Sequence, residues 1–327
     1  MITQKALAEQ LGISYSTVSL ALAGSSKVNE QTRKLVCEAA GRAGYCPDLN
    51  AKALKNRRSG LVGVVFPDFS QTYYTELQRE IYPKLQAAGY TGLFFTCGQN
   101  DDFGRIVREL HGRHVDGIIT CITDATALRP LLNSGVKVVM YRSPEQLPCS
   151  SVEVDRIKGG RMAAEHLIGL GYRRLGYLGF CNQGREDRLQ GYLSGIAAAG
   201  LEIDSAAIIE CDCFMEAGYE GMKKMLKKNN RPEAIFVFND STALGAIRAI
   251  YEAGLQVPRD IAIVGFDGIT EGRFSIPALT TIAQPKTATA ENLVNLLTAH
   301  ISGEETGIRR VVLTPELLIR ESCGAKR

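Results

Sequence analysis

The chain has no tryptophan and only four histidines in 327 residues. That leaves little material for imidazole-based catalysis, and no Ser/His/Asp arrangement is visible. Its nine cysteines are odd in number and lack framework spacing, which excludes a disulfide scaffold and favours a reducing compartment. Cys211-x-Cys213 and His111-x-x-His114 come nearest to metal-ligand spacing, but neither has a second pair. No run is apolar enough to span a membrane, and the start MITQKALAEQ lacks the apolar core of an export signal. A cytoplasmic protein without a membrane partner is therefore expected. Gly179-x-x-x-x-Gly184-Arg185-Glu186 resembles half a phosphate loop but lacks the Lys-Ser/Thr that would hold phosphate and magnesium. Gly169-x-Gly171-x-x-Arg174 follows a helical stretch and reads as a helix C-cap and turn. No catalytic residue, cofactor or metal is expected.

What is present begins with an uneven charge distribution. Residues 1–59 carry nine lysines and arginines against four aspartates and glutamates, a net of +5, while the remainder carries 29 against 31, a net of −2. A basic module beside a near-neutral body is the electrostatic footprint of phosphate binding. Within the module, Ala8, Gly12 and Val18 have the spacing a helix-turn-helix needs where its helices cross: a small residue, a turn glycine and a filling valine. An ordinary helical hairpin has the same spacing. Ser14 is placed to cap the second helix, with Ile13 and Val18 forming a hydrophobic staple. Tyr15, Ser16, Thr17 and Ser19 occupy the early positions that meet base edges in a recognition helix. Leu20 is either an apolar reader or a packing residue. Asn29 caps a third helix carrying Leu35, Val36, Ala39 and Ala40, which Gly44 and Pro47 end. Leu49, Ala53 and Leu54 would give one apolar face to a helix of about two turns, too short to be stable alone in water.

Beyond Gly60, β-rich runs alternate with helical stretches: Leu61–Phe66, Thr91–Thr96, Gly117–Thr120, Val136–Tyr141, Leu175–Gly179, Ile208–Cys211, Ala234–Phe238 and Ile261–Phe266. This is a parallel-sheet signature, repeated twice, and the length suits two similar α/β subdomains. Ligands in open α/β sheets sit beyond the carboxyl ends of the strands. Asp68, Phe69, Arg142, Asp240 and Asp267 follow such ends; Tyr73, Tyr74 and Arg188 open the following helices. Tyrosine rings can stack on a sugar face. Arg188 with Asp267 can exchange paired hydrogen bonds with a polyol, although an arginine also suits a carboxylate or phosphate. Asp240 and Asp267 are equally placed to cap helices.

The run KALAEQLGISYSTVSLALAGSSKVNEQTRKLV resembles the DNA-binding head of the LacI/GalR family of bacterial transcriptional regulators. VGVVFPD, HLIGLGYRRLGYLG, RLQGY, FVFNDSTALGA, VPRDIAIVGFDG, LTTIAQP and PELLIRES extend the resemblance to Ser322. It implies a helix-turn-helix head over 1–46 and a hinge over 47–59 that folds on the operator, with Leu54 wedged into a central base step. It also implies a periplasmic-binding-protein-like body over 60–327. Three crossovers, near Val154, Gln284 and Thr306, would divide that body into an N-subdomain of about 60–154 and 285–306 and a C-subdomain of about 155–284 and 307–327. By the same resemblance, positions matching Tyr73, Tyr74, Arg188, Asp240, Asp267 and Gln284 contact small effectors. Cys213, Asn182 and Gly184 give this pocket chemistry of its own, and Ser16 and Leu20 depart from the long polar side chains common in relatives.

The expected DNA-contacting set is Thr3, Ser14, Tyr15, Ser16, Thr17, Ser19, Leu20, Asn29 and Thr32 in the head, with Asn50, Lys52, Ala53, Leu54 and Lys55 in the hinge. The expected effector set is Asp68, Phe69, Tyr73, Tyr74, Arg142, Arg188, Asp240, Asp267 and Gln284. The implied protein is a homodimeric, nucleoid-associated bacterial regulator, by family habit a repressor. It would bind a pseudo-palindromic double-stranded operator under control of a small sugar or sugar derivative. With no heptad tail after Ser322, a dimer is expected and not a coiled-coil tetramer. The alternative is a solute-binding protein or sugar-acting enzyme of the same body fold.

Overall fold

In the computed structural model, the described residues are 2–46, 58–67, 70–98, 102–143, 147–181 and 187–325. They form two compact units, Met1–Ser59 and Gly60–Arg327. In the first, α1 (Gln4–Leu11), α2 (Tyr15–Leu22) and α3 (Glu30–Arg42) share one small core of Leu7, Ala8, Val18, Ala21, Val28, Val36, Ala39 and Ala40. Gly12 ends α1 at φ +64, a left-handed conformation that suits glycine because it has no Cβ. Ile13 packs, partly buried, against this core, which contains Val18. Leu35 does not join it: that side chain is 45% exposed, because the buried stripe of α3 runs through Val36, Ala39 and Ala40. The hinge positions Leu49, Asn50, Lys52, Ala53, Leu54 and Lys55 lie outside the described residues, as do Pro47, Asp68, Phe69, Asn182 and Gly184.

The second unit runs β1 (Leu61–Phe66), α4 (Thr72–Ala87), β2 (Thr91–Thr96), α5 (Phe103–Gly112), β3 (Gly117–Thr120), α6 (Ala125–Asn133), β4 (Lys137–Tyr141) and β5 (Ser150–Val154). It continues through α7 (Arg156–Gly169), β6 (Leu175–Gly179), α8 (Asp187–Ala198), β7 (Ile208–Glu210), α9 (Met215–Leu226), β8 (Ala234–Val237), α10 (Asp240–Glu252) and β9 (Ala262–Asp267). It closes with α11 (Thr270–Phe274), β10 (Thr280–Ala283), α12 (Lys286–Ser302), β11 (Arg310–Leu313) and β12 (Glu316–Leu318). Two six-stranded sheets result, in the orders β11-β5-β4-β3-β1-β2 and β12-β10-β9-β8-β6-β7. Every pairing is parallel except that of β12 with β10. Helices cover both faces, so the central strands are buried along their whole length and read as continuous apolar runs.

The eight expected strands form. Four more, β5, β10, β11 and β12, were not legible, being short and rich in Ser, Thr, Glu and Arg. These four carry the crossovers. The chain leaves the first sheet after Val154, returns through Gln284 to α12, which packs on α4 and β4, and leaves again between Leu313 and Glu316. The last passage therefore comes later than Thr306, because β11 pairs with β5 and so still belongs to the first lobe.

Candidate functional site

In the head, three side chains expected to contact DNA first organise helix ends. Thr3 accepts a hydrogen bond from Ala6 N–H at 3.2 Å, Ser14 from Thr17 N–H at 3.0 Å, and Asn29 from Thr32 N–H at 2.8 Å. Each satisfies one orphan donor of its helix. The Ser14 hydroxyl also lies 2.7 Å from Ser16 Oγ and 2.8 Å from Thr17 Oγ1, gathering three short hydroxyls at the start of α2. Tyr15 and Leu20 are 55% and 37% exposed. Leu20 is thus an exposed apolar side chain on the recognition-helix surface, not a core residue.

In the body, the carboxyl ends of the strands and the first turns of the following helices face each other across the two lobes. Tyr73, in the first turn of α4, donates to Tyr141 Oη at 2.8 Å, since the one Tyr141 hydroxyl hydrogen goes to Gln284. Tyr141 closes β4 and donates to Gln284 Oε1 at 2.7 Å; Gln284 Nε2 donates to Asp267 Oδ1 at 2.6 Å; and Arg188 Nη2 donates to the same oxygen at 3.1 Å. Five side chains from both lobes and one crossover thus form an unbroken hydrogen-bonded chain. The Arg188 guanidinium lies 3.9 Å from the Phe266 ring centre and 4.3 Å from that of Phe238, and also donates to the Phe238 carbonyl. Two aromatic faces and two acceptors hold it in one orientation. Arg188 and Asp267 are therefore engaged with each other, where sequence had both free to meet a polyol.

Close helix packing brings this about. A Cβ on Gly160 would lie 2.0 Å from the Arg188 carbonyl oxygen, and one on Gly191 would lie 1.9 Å from that of Ile157. Only glycine lets α7 and α8 touch backbone to backbone, so their first turns, with Arg156 and Arg188, stand side by side. Asp267 and Arg142 hold positive φ of 111° and 66°, a strained backbone for residues with side chains and one that accumulates at functional sites.

Other expected residues are placed differently. Tyr74 is half-buried, its ring stacked on Phe66 at 5.5 Å. Arg142 pairs with Asp187 of the other lobe at 3.1 Å, both partly exposed. Asp240 does not reach the cleft: it is fully buried, accepting from Thr281 Oγ1 at 2.6 Å and Ile269 N–H at 2.9 Å. Nor does it cap its own helix, since Asn239 does that through Thr242 N–H. Burial, then the nearby Asp267 charge, pushes the Asp240 carboxyl up to about 7. Burial raises Asp267 as well, with Arg188 opposing.

Sequence reasoning missed Tyr141, Arg156, Asp187, Glu76 and Lys286. Arg156 follows the expected rule of helix start after a strand, but β5 was unseen, so α7 had no strand to open from; Tyr141 is the last residue of the expected strand β4, where the rule looked to the residue after it. Glu76 and Lys286 form an ion pair at 2.8 Å next to the cleft. Among the described residues no group of three or more His, Cys, Asp or Glu is placed to hold a metal ion, and no helix is long and apolar enough to cross a membrane.

Residues 3–48 match the bacterial regulatory proteins, lacI family, and residues 164–323 match the periplasmic binding protein-like domain. The HTH-type transcriptional repressor PurR of Pasteurella multocida (strain Pm70) is 32% identical over 335 residues, covering 100% of both chains. The chain belongs to the LacI family. Among solved structures, this LacI-family protein is similar to the transcriptional regulator CelR–cellobiose complex, at a TM-score of 0.75 and 30% identity over 98% of this chain and 100% of that one. It is also similar to the lac repressor dimer bound to operator and the anti-inducer ONPF, at a TM-score of 0.87 and 27% identity over 99% of each. Its relatives are transcriptional regulators, and the LacI-family chain is a DNA-binding regulator of transcription, not an enzyme. The solute-binding and sugar-enzyme alternative gives way accordingly.

Proposed function

We propose that the protein is a cytoplasmic, homodimeric repressor that sits on the nucleoid when DNA-bound, and whose operator affinity is set by a small sugar or sugar derivative held between the body's two lobes. The hydrogen-bonded chain Tyr73–Tyr141–Gln284–Asp267–Arg188 carries this reading. An effector entering the cleft exchanges these protein–protein bonds for bonds to itself. It therefore binds one lobe arrangement better than another, and that difference in affinity is what shifts a two-state equilibrium. The cellobiose complex of one relative is consistent with a sugar as the ligand class.

On the DNA side, Tyr15, Ser16, Thr17, Ser19 and Leu20 read bases, while Thr3, Ser14, Asn29 and Thr32 position the helices against phosphates. Two heads read the two halves of a pseudo-palindrome, and Leu54 of each hinge enters the central step. The test is fluorescence anisotropy of the full-length chain on a labelled palindromic duplex at two salt concentrations, with and without a sugar panel. Affinity that falls steeply with salt and changes with one sugar is expected. A chain indifferent to every duplex, or to every compound, overturns the reading.

A further inference from the structure

Among the described residues, three ion pairs surround the cleft and one buried cation stands outside them. Arg142 meets Asp187 at 3.1 Å, Arg188 meets Asp267 at 3.1 Å, and Lys286 meets Glu76 at 2.8 Å. Arg156, the first residue of α7, makes no ion pair among the described residues, Asp187 acting on it only at longer range. It is 9% exposed, and its one hydrogen bond to the described residues runs from Nη2 to Tyr141 Oη at 3.3 Å, with the guanidinium 5.5 Å from that ring's centre. The neighbouring Asp155 is spent on capping α7 through Lys158 N–H at 2.8 Å.

A guanidinium has five N–H donors and does not deprotonate in proteins. Burying such a cation against a neutral phenol, with the Asp187 carboxylate acting on it only from a distance, leaves it without a counter-ion in contact, a place that an anion would fill. The remaining donors are also reachable: Arg188 Nε is sealed without a partner, whereas no Arg156 nitrogen is. Tyr74 supplies a second observation. Its ring stands edge-on to Tyr141 with centres 6.4 Å apart, and its hydroxyl makes no hydrogen bond to the described residues. A cation whose one acceptor among the described residues is Tyr141, and a phenol with none there, thus flank Tyr141 on the lobe-1 side of the hydrogen-bonded chain.

We infer that the effector carries a negative charge, as a carboxylate or a phosphate monoester, and that Arg156 binds it with the Tyr74 hydroxyl as a second donor. This rests on the cleft being the effector site. The polyol part of the ligand then faces Arg188, Asp267 and Gln284, and its acidic group lies against Arg156. A neutral sugar would leave the Arg156 charge unmatched.

The test is isothermal calorimetry of the full-length protein against three matched sets: neutral hexoses and pentoses, their uronic and aldonic acids, and their phosphate monoesters. One anionic set is expected to bind at least tenfold more tightly than its neutral counterparts, and which set it is separates carboxylate from phosphate. Arg156→Gln should remove about 10- to 100-fold of that preference, the equivalent of one charge-assisted contact. Arg156→Lys should keep part of it, and Tyr74→Phe should remove a smaller share. Equal affinity for acid and neutral sugar, or an unchanged preference in Arg156→Gln and Tyr74→Phe, overturns the proposal while leaving the cleft as effector site. Binding of none of the three sets overturns both.

Discussion

The Glu76 carboxylate, on α4 of the first lobe, accepts a hydrogen bond at 2.9 Å from the backbone N–H of Thr270, which begins α11 of the second lobe 194 residues away. It accepts from the Thr270 hydroxyl as well. Because α11 has no side-chain cap of its own, a residue from the other lobe serves as one, and Lys286 at 2.8 Å holds that residue in place.

Glu76→Ala is expected to destabilise the body by about 1–3 kcal/mol, the range for hydrogen bonds to a charged group. Burial by itself raises the Glu76 carboxyl, but hydrogen bonds from Lys286 and Thr270 and the Lys286 charge more than offset this and hold it below its ordinary 4.5. A lowered acid stabilises the fold above its unfolded value, and that contribution disappears as pH falls through the folded value. The gap between urea melts of wild type and Glu76→Ala should therefore narrow as pH falls below 4.5. A gap that stays constant as the protein is acidified would show that the carboxylate's charge is not what matters.

Asp240 has the opposite sign. Its carboxyl is raised to about 7 by burial and by Asp267, so between its ordinary 3.8 and 7 the folded chain holds a proton that the unfolded chain has released. Stability from this group falls as pH rises through that window and is level above it. Asp240→Asn should flatten the dependence of Tm on pH between 5 and 7, and an unchanged slope would assign it to other groups.

Arg188→Ala should remove the effector response while the protein still binds operator, because the side chain anchors Asp267 and stacks on Phe238 and Phe266 within the cleft. A variant that still responds to the effector would dismiss this arginine from the site.

Gly191→Ala places a methyl carbon 1.9 Å from the Ile157 carbonyl oxygen, forcing α7 and α8 apart. A loss of about 1–3 kcal/mol is expected from overpacking of this kind. Effector affinity should weaken with it, since Arg156 and Arg188 ride on those two helices. Calorimetric melting and ligand titration of the same variant check both effects.

Leu54→Ala is expected to weaken specific operator binding and leave effector affinity unchanged, since the wedge would act only at the central base step. Operator titrations showing wild-type affinity would remove the wedge from the account.

Sequence by itself determined the features whose causes are local. Thr3, Ser14 and Asn29 each bond an N–H three residues ahead, so the helix starts of the head can be read along the chain. The central strands β1, β3, β4, β6, β8 and β9 announce themselves as apolar runs because helices bury both faces of each sheet, and the basic surplus of the head is a matter of counting. Tertiary structure alone decided what those elements bring together. The Tyr141–Gln284 bond spans 143 residues, and Arg188–Asp267 spans 79. Asp240 and Arg188 look alike in the chain, each opening a helix after a strand. One is sealed beneath the strand ends on Thr281 and Ile269, while the other joins Asp267 and the rings of Phe238 and Phe266 in the hydrogen-bonded chain between the lobes. Burial and long-range pairing set what a charged group can do, and neither exists until the sheets and helices have packed.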